Sequence, residues 1–159
     1  MTDHASIVDL LRGQLGDAVL GHQVFRGQLA VTVDPERIVE VCTACRDHEG
    51  LRFDMLTDLT AVDRLPAEPR FEVVYNLYSF PHNRRLRLKA GVAENGTIAT
   101  VEGVWKAANW LEREVYDLFG VVFDGHPDLR RILLWDGYVG HPLRKDFPLH
   151  GIPQKVQYR

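Results

Sequence analysis

The chain has 159 residues, of which 45% are hydrophobic and 26% are charged, and its formal net charge is -3 at pH 7. This composition is typical of one globular domain that can bury roughly 70% of its unfolded surface. The small negative charge disfavours nucleic acid as a partner, and no apolar run approaches the roughly 20 residues that a membrane-spanning helix needs. The first residues include Asp3 and lack the apolar core of a signal peptide. We therefore expect the protein to stay in the cytoplasm and to reach a membrane only through partners.

The first third of the chain alternates between patterns typical of helices and of strands. The predicted elements are a helix at Ser6–Leu15, strands at Val19–Phe25 and Leu29–Val33, a helix from Pro35 to about His48, and a strand at Leu51–Val62. Ser6 is a candidate N-cap of the first helix, and Asp34 with Pro35 is a typical start for the second. The first two strands are separated only by residues 26–28, so we expect them to form a hairpin.

A three-stranded meander is predicted to follow the polar loop at Asp63–Pro69. Its strands would be Phe71–Phe80, Arg84–Ala93 and Thr97–Val101, joined by turns at residues 81–83 and at Asn95–Gly96. With the preceding elements, this predicts an α+β fold, a two-layer domain with a mixed, mainly antiparallel sheet.

The second strand of this meander predicts a basic stripe. Small or aliphatic residues alternate with basic ones there, namely Leu86, Leu88 and Ala90 with Arg85, Arg87 and Lys89. Alternation with a period of two indicates one buried face and one face that carries the charges. We interpret the stripe as a solvated face of the sheet rather than as a binding face.

The last third of the chain begins with an amphipathic helix, predicted at Ala107–Phe119, and continues as an irregular segment. On the outer side of this helix the spacing places Arg113 beside Asp117, one turn apart, and leaves Trp110 away from the core. Ile132–Trp135 is predicted to be a buried apolar segment, and the glycines and prolines after it interrupt any regular element. We expect an α+β part at residues 1–125 and an irregular docking extension of the same domain at residues 126–159.

The charged and aromatic residues of this last third resemble a known family signature. The stretch WLEREVYDLFGVVFDGHPDLRRILLWDGYVGHPLRKDFPL, at residues 110–149, resembles the C-subunit family of proton-pumping NADH:quinone oxidoreductase, also called respiratory complex I or NDH-1. The signature and expected docking residues are Trp110, Glu112, Arg113, Glu114, Asp117, His126, Arg130, Arg131, Arg144, Lys145 and Asp146.

The resemblance implies a structural subunit in the peripheral arm of a membrane-bound NADH:quinone oxidoreductase, without catalysis by the isolated chain. It implies docking to the quinone-site D-subunit, with others such as the B- and I-subunits nearby, on the cytoplasmic side of the cell membrane. Flavin, iron–sulfur clusters and quinone would all be held by partner subunits, and none by this chain. Relatives serve in membrane-bound [NiFe] hydrogenases and in F420-type or ferredoxin-driven dehydrogenases, so a different electron donor is the alternative.

The carboxylates of the last helix leave another class of function open. Glu112, Glu114 and Asp117 lie close together in the chain, and paired carboxylates can act as general acid and base. An independent small hydrolase that uses Glu112 and Asp117 is therefore a further alternative. We favour a structural role, in which Arg113 pairs with Asp117 and the carboxylates contact basic residues of the irregular segment. The candidates for this contact are Arg130, Arg131, Arg144 or Lys145.

Two other groups of residues could bind a metal ion, but their pattern favours a structural role. Cys42 and Cys45 form a lone C-x-x-C motif, and a zinc or iron–sulfur site would need further ligands to complete it. We interpret them as two packed small residues. His126 and His141 have acidic neighbours, but their irregular spacing favours hydrogen-bonded structural histidines.

Overall fold

The computed structural model describes residues 4–153. Its helices are α1 (His4–Leu15), α2 (Ile38–Asp47) and α3 (Ala108–Phe119). Its strands are β1 (Val19–Phe25), β2 (Gln28–Val33), β3 (Met55–Asp63), β4 (Phe71–Ser79), β5 (Arg84–Val92), β6 (Thr97–Ala99) and β7 (Val122–Asp124). Short 3-10 turns precede β1 and α2, at Gly16–Ala18 and Pro35–Arg37. Among these residues no helix is both long and apolar enough to cross a membrane.

Five strands form the main sheet, in the order β1-β2-β5-β4-β3. Neighbouring strands are antiparallel except β2 and β5, which run parallel with Ala30 opposite Arg87. Alternate residues of the strands, such as Leu86 and Leu88 of β5, are buried in a core shared with apolar residues of all three helices. The predicted two-layer α+β domain with a mixed, mainly antiparallel sheet is therefore confirmed.

The predicted meander at residues 71–101 is wrong in its last strand. β6 pairs in parallel with β7, with Ile98 opposite Phe123, and these two strands form a separate small sheet. β5 already has β2 on one side and β4 on the other, so no edge of β5 is free to accept β6. The antiparallel meander of this fold consists of β3, β4 and β5 instead.

The predicted starts of the first helix and of the strand at Leu51 also differ from the structure. α1 begins at His4, so Ser6 lies inside the helix and is not its N-cap. The strand predicted at Leu51–Val62 starts only with β3. Leu51 and Phe53 are buried in the turn before β3, where they contribute to the core. Their apolar character therefore reflects burial and not strand structure.

A glycine connects α3 to the rest of the chain. Gly120 has a φ of 78° at the C-terminal cap of α3, and a Cβ added there would lie 2.7 Å from side-chain atoms of His141 and Arg144. Glycine thus allows both the left-handed turn and the close return of the chain. We refer to residues 126–153 as the C-terminal segment, which contains no helix or strand. The predicted irregular tail is confirmed over this range, and residues 154–159 lie outside the described part of the chain.

Candidate docking surface of the last helix and the C-terminal segment

Some polar and aromatic residues of α3 are buried, and others are exposed to solvent. Glu112 and Asp117 are completely buried, whereas Trp110 is 71% exposed and Glu114, one turn after it, is also exposed. The outward orientation predicted for Trp110 is therefore correct. The outer position predicted for Asp117 is wrong, because the C-terminal segment covers that side of the helix.

Asp117 is the centre of a buried cluster that joins α3 to the C-terminal segment. Its carboxylate accepts a hydrogen bond from Arg131 at 2.7 Å and three more from the backbone N–H groups of residues 132–134 at 3.1, 2.8 and 2.9 Å. Burial opposes ionisation of Asp117, but these hydrogen bonds outweigh it and lower the pKa of the carboxyl group. Arg131 also donates to the carbonyl oxygens of Tyr138 and Gly140. One buried ion pair thus organises the backbone of the segment.

Arg113 does not pair with Asp117, so the predicted ion pair is wrong. The Arg113 guanidinium donates instead to the carbonyl oxygens of Arg130 and Arg131, each at 3.2 Å. The carboxylate of Asp117 is turned towards the segment, where Arg131 and three N–H groups occupy it. Arg113 therefore stabilises the same segment through its backbone carbonyl groups.

A second buried cluster, absent from the sequence-based predictions, fixes the other end of the segment to the sheet. Arg70 is only 2% exposed and contacts Asp63, Glu94 and Asp146 at 2.9, 2.7 and 2.7 Å. Asp63 also accepts a hydrogen bond from the backbone N–H of Lys145. Hydrogen bonds from Arg70 hold the pKa values of Asp63 and Asp146 below their usual range. The sequence contains one indication of this cluster, because the opposite charges of Asp63 and Arg70 lie at the two ends of the polar loop.

The other basic residues of the segment contact backbone carbonyls or surface acids. Arg144 Nε donates to the carbonyl of Phe119 at 2.6 Å, and Lys145 Nζ donates to a loop carbonyl at 3.3 Å. Arg130 forms an exposed ion pair with Asp128 at 2.9 Å. Within residues 4–153, the predicted contact between an α3 carboxylate and a basic residue of the segment is therefore correct, and Arg131 is the residue that makes it.

Glu112 binds the loop that precedes α3. It accepts hydrogen bonds from the backbone N–H of Val101 at 2.8 Å and from the hydroxyl of Thr100. Burial raises the pKa of Glu112 to about 7, although the hydrogen bonds from Thr100 and Val101 act in the opposite direction. The role of Thr100 carried no recognisable sequence signal.

His126 connects the start of the C-terminal segment to α3. Its Nε2 lies 2.9 Å from the carbonyl oxygen of Asn109, and its Nδ1 lies 3.0 Å from the backbone N–H of Asp128. Because the Asp128 N–H is a donor, Nδ1 accepts and Nε2 donates, which defines a neutral tautomer. The carboxylate of Glu112 is 3.9 Å from Nε2. Both ring nitrogens are thus engaged in structural contacts.

The two carboxylates proposed for a hydrolase are held in separate environments. Glu112 binds the loop at residues 100–101, whereas Asp117 binds Arg131 and the backbone of residues 132–134. A general acid or base must reach a substrate proton. The geometry therefore provides no shared site for acid–base catalysis by this pair.

Cys42, Cys45 and the two histidines considered for a metal site, His126 and His141, also have structural environments. Cys42 and Cys45 are buried free thiols of α2, and burial raises the pKa of Cys45 to about 12 and also raises that of Cys42. His141 Nδ1 lies 2.9 Å from the carbonyl oxygen of Asp117. Among the described residues, no group of three or more histidines, cysteines or acids is placed to hold a metal ion.

Large apolar side chains are exposed on α3 and along the C-terminal segment. We refer to them as the α3 docking surface, which comprises Trp110, Leu133, Trp135, Val139, Leu143 and Leu149. The prediction that Ile132–Trp135 is buried is wrong, because its backbone N–H groups turn towards Asp117 and its Leu133 and Trp135 side chains are exposed. Two of the six are tryptophans, and tryptophan is among the residues enriched in protein interfaces.

Comparison with known proteins identifies the family. The family model described as "Respiratory-chain NADH dehydrogenase, 30 Kd subunit" matches residues 31–153. The chain belongs to this family. The matched range includes α3, both buried clusters and the whole C-terminal segment, so the α3 docking surface is part of the shared region.

Two relatives and one solved structure illustrate the similarity of this 30 Kd subunit family member. The chain is 58% identical over 151 residues to the C-subunit of NADH-quinone oxidoreductase from Geobacter metallireducens, covering 94% of this chain and 91% of the relative. It is 51% identical over 148 residues to the protein of the same name from Roseiflexus sp. (strain RS-1), covering 92% and 85%. A chain in the structure of the membrane-bound sulfane sulfur reductase, an archaeal respiratory membrane complex, has a TM-score of 0.78 at 25% identity, covering 91% of this chain and 85% of that one.

Proposed function

We propose that this chain is the C-subunit of a membrane-bound, proton-translocating NADH:quinone oxidoreductase, and that it is a structural component of the peripheral arm. The relatives that are 58% and 51% identical carry that enzyme's name, which supports NADH as donor and quinone as acceptor. The chain of the sulfane sulfur reductase complex is similar at only 25% identity. The more similar relatives therefore favour NADH as the electron donor over the donor of a hydrogenase-type or other complex.

The exposure of Trp110 on α3, together with the firmly held C-terminal segment, supports the docking proposal. A tryptophan can bury roughly 150–250 Å² in an interface, and tryptophan is among the residues that dominate binding energy. Arg131 and Arg70 anchor the segment on both sides of most of its exposed apolar residues, from Leu133 to Leu143. A partner then binds a surface that is already ordered, and less conformational entropy is lost on association.

We propose that the quinone-site D-subunit covers the α3 docking surface, with the B- and I-subunits as neighbours in the peripheral arm. The chain would hold no cofactor, and flavin, iron–sulfur clusters and quinone would belong to its partners. The complex would place this chain on the cytoplasmic side of the cell membrane. Its function would be to keep the partner subunits in the arrangement that electron transfer requires.

Replacing Trp110 by alanine tests the docking role. The side chain is 71% exposed, so the melting temperature of the isolated chain should hardly change. Retention of the quinone-site subunit on native gels should fall, as expected for an interface anchor whose truncation costs about 2 kcal/mol or more. Leu20→Ala is the matched control, because Leu20 is an exposed apolar residue of β1. A large drop in melting temperature with normal assembly would refute the proposal.

The electron donor is tested by identifying the chains that co-purify with this subunit. A flavin- and NADH-binding partner is expected, whereas a nickel-containing partner would assign the chain to a hydrogenase. The isolated chain should show no turnover with NADH and quinone or with hydrolase substrates. Turnover without partners would contradict the structural role.

A further inference from the structure

The open face of the main sheet carries arginines without acidic partners. Arg85 and Arg87 of β5 lie on this face, opposite Tyr78 and Asn76 of β4. Within residues 4–153 neither arginine forms an ion pair, whereas Lys89, two residues further along the same face, pairs with a glutamate at 3.1 Å. The described chain therefore places no carboxylate within ion-pair distance of either guanidinium.

The hydrogen bonds of Arg87 hold its guanidinium without neutralising it. Its Nε donates to the side-chain oxygen of Asn76 at 3.0 Å, and one terminal nitrogen donates to that of Gln28 at 3.3 Å. Both acceptors are neutral amides. Arg85 lies with its guanidinium carbon 5.9 Å from the centre of the Tyr78 ring, a cation–π distance. Neutral groups thus hold both guanidinium groups in place, and both positive charges remain able to pair with an anionic ligand.

These arginines line a concavity of about 540 Å³ between β2, β3, β4 and β5. Its apolar side is formed by Met55, Tyr78 and Phe80, and Phe80 is 64% exposed. The Tyr78 and Phe80 rings meet edge to face with their centres 5.0 Å apart. Arginine, tyrosine, phenylalanine and methionine are the residues enriched in protein interfaces. The concavity shares no residue with the α3 docking surface.

We propose that this concavity binds an extended acidic segment of a partner protein. Carboxylates of that segment would pair with Arg85 and Arg87, and an apolar side chain would pack against Phe80 and Met55. The amides of Asn76 and Gln28 offer further hydrogen bonds. Such a site is separate from the interface at α3, and it makes the basic stripe a binding face where the sequence favoured only a solvated one.

The chemistry of the concavity favours protein over other anionic partners. Asp58 also lines the concavity, on β3, which β4 separates from the arginines of β5. A carboxylate there would repel a continuous anionic surface such as a lipid bilayer or nucleic acid. A peptide can instead place single carboxylates at the arginines and avoid Asp58. Electrostatic complementarity of this kind selects partners and increases association rates.

Site-directed photo-cross-linking in the assembled complex tests the proposal. The cross-linking amino acid p-benzoylphenylalanine is introduced in place of Phe80 in the full chain, and in place of Val39, an exposed residue of α2, as control. After irradiation, position 80 should be joined to a protein segment of net negative charge, and position 39 should not be joined to that segment. Adducts only with lipid, with a basic segment, with a second copy of this chain, or with no protein would overturn the proposal.

A synthetic peptide with the cross-linked sequence then measures the role of charge. Arg85→Glu and Arg87→Glu should each raise the Kd of the full chain for this peptide about tenfold or more, as for charged residues at an interface. Arg12→Glu, on the exposed side of α1, should leave the Kd unchanged.

Arg85→Gln, a milder change, should weaken binding less than Arg85→Glu and should melt like the wild type. Replacing the peptide's acids by lysine should restore binding to the glutamate variants. Equal affinity of all variants would refute the inference.

Discussion

Replacing Asp117 by alanine should release the C-terminal segment before it unfolds the sheet. The substitution removes a buried ion pair with Arg131 and three backbone hydrogen bonds from residues 132–134. Breaking a buried pair by removing one partner costs about 3–5 kcal/mol. The loss falls on contacts between α3 and the segment and not on the sheet. The segment should therefore open locally, and the fall in global stability is limited to the free energy that its docking contributes.

Hydrogen exchange with mass spectrometry measures this local opening directly. A loss of about 3–5 kcal/mol corresponds to amide exchange roughly 100- to several thousand-fold faster for residues 132–134, because each 1.4 kcal/mol is a factor of ten. Amides of β4, such as those of Tyr75 and Leu77 in the core, should keep their wild-type rates. Trypsin should cut the variant earlier after Arg130 and Arg131.

Asp128→Ala is the matched control for this experiment. Asp128 pairs with Arg130 at 2.9 Å on the surface of the same segment, and exposed pairs contribute only about 0–1 kcal/mol. Its exchange rates should stay close to those of the wild type. The prediction is wrong if Asp117→Ala leaves residues 132–134 protected, or if the sheet and the segment gain exchange to the same extent.

Three further predictions concern substitutions at one or two positions. Cys42→Ala with Cys45→Ala should leave the iron–sulfur EPR spectrum of the purified complex unchanged, because both thiols are buried in apolar surroundings; loss of a cluster signal would contradict a redox-inert chain. Gly120→Ala should lower stability by more than about 1 kcal/mol in denaturant titration, because φ is 78° and the new Cβ would clash with His141. Glu112→Gln should melt progressively higher relative to the wild type as pH rises from 4.5 to 7, with exposed Glu114→Gln as control. The folded-state pKa of Glu112 is raised to about 7 from 4.5. Between these pH values Glu112 ionises in the unfolded state and stays protonated in the folded state, so the wild type loses up to roughly 3 kcal/mol of stability. Parallel melting curves would refute this.

The fold class was predictable because local patterns decide the type of most elements. The alternation along β5 indicated one buried face, and the helical spacing before Gly120 located α3 within one residue. Strand order was less accessible, since it depends on which edges are already occupied. β6 follows β5 after a hairpin-type turn, yet β2 fills the edge that β6 would need. The turn after β5 cannot indicate that β2, a strand more than 50 residues earlier, already pairs with β5. Gln28 of β2 and Arg87 of β5, which form a hydrogen bond, are 59 positions apart.

The buried clusters were accessible only in part, for a related reason. Helical spacing shows which residues share a side of α3, but it does not show which side another part of the chain will cover. The spacing therefore predicts Asp117 on the solvent side, although the C-terminal segment buries it. Arg70 and Asp146 are 76 positions apart, and nothing near either residue indicates the other. Long-range ion pairs of this kind follow from the path of an irregular segment, which has no periodicity to detect.

The two clusters explain how an irregular segment can present a defined surface. Asp117 fixes the backbone at residues 132–134, and Arg70 fixes Asp146 at the other end. Trp135, Val139 and Leu143 lie between these anchors with exposed side chains. Ordering a free loop on binding costs conformational entropy, and the buried charges remove the backbone part of that loss before the partner arrives. Asp117→Ala should therefore weaken retention in the complex although Asp117 itself is buried, because the docking residues would keep their chemistry and lose their fixed positions.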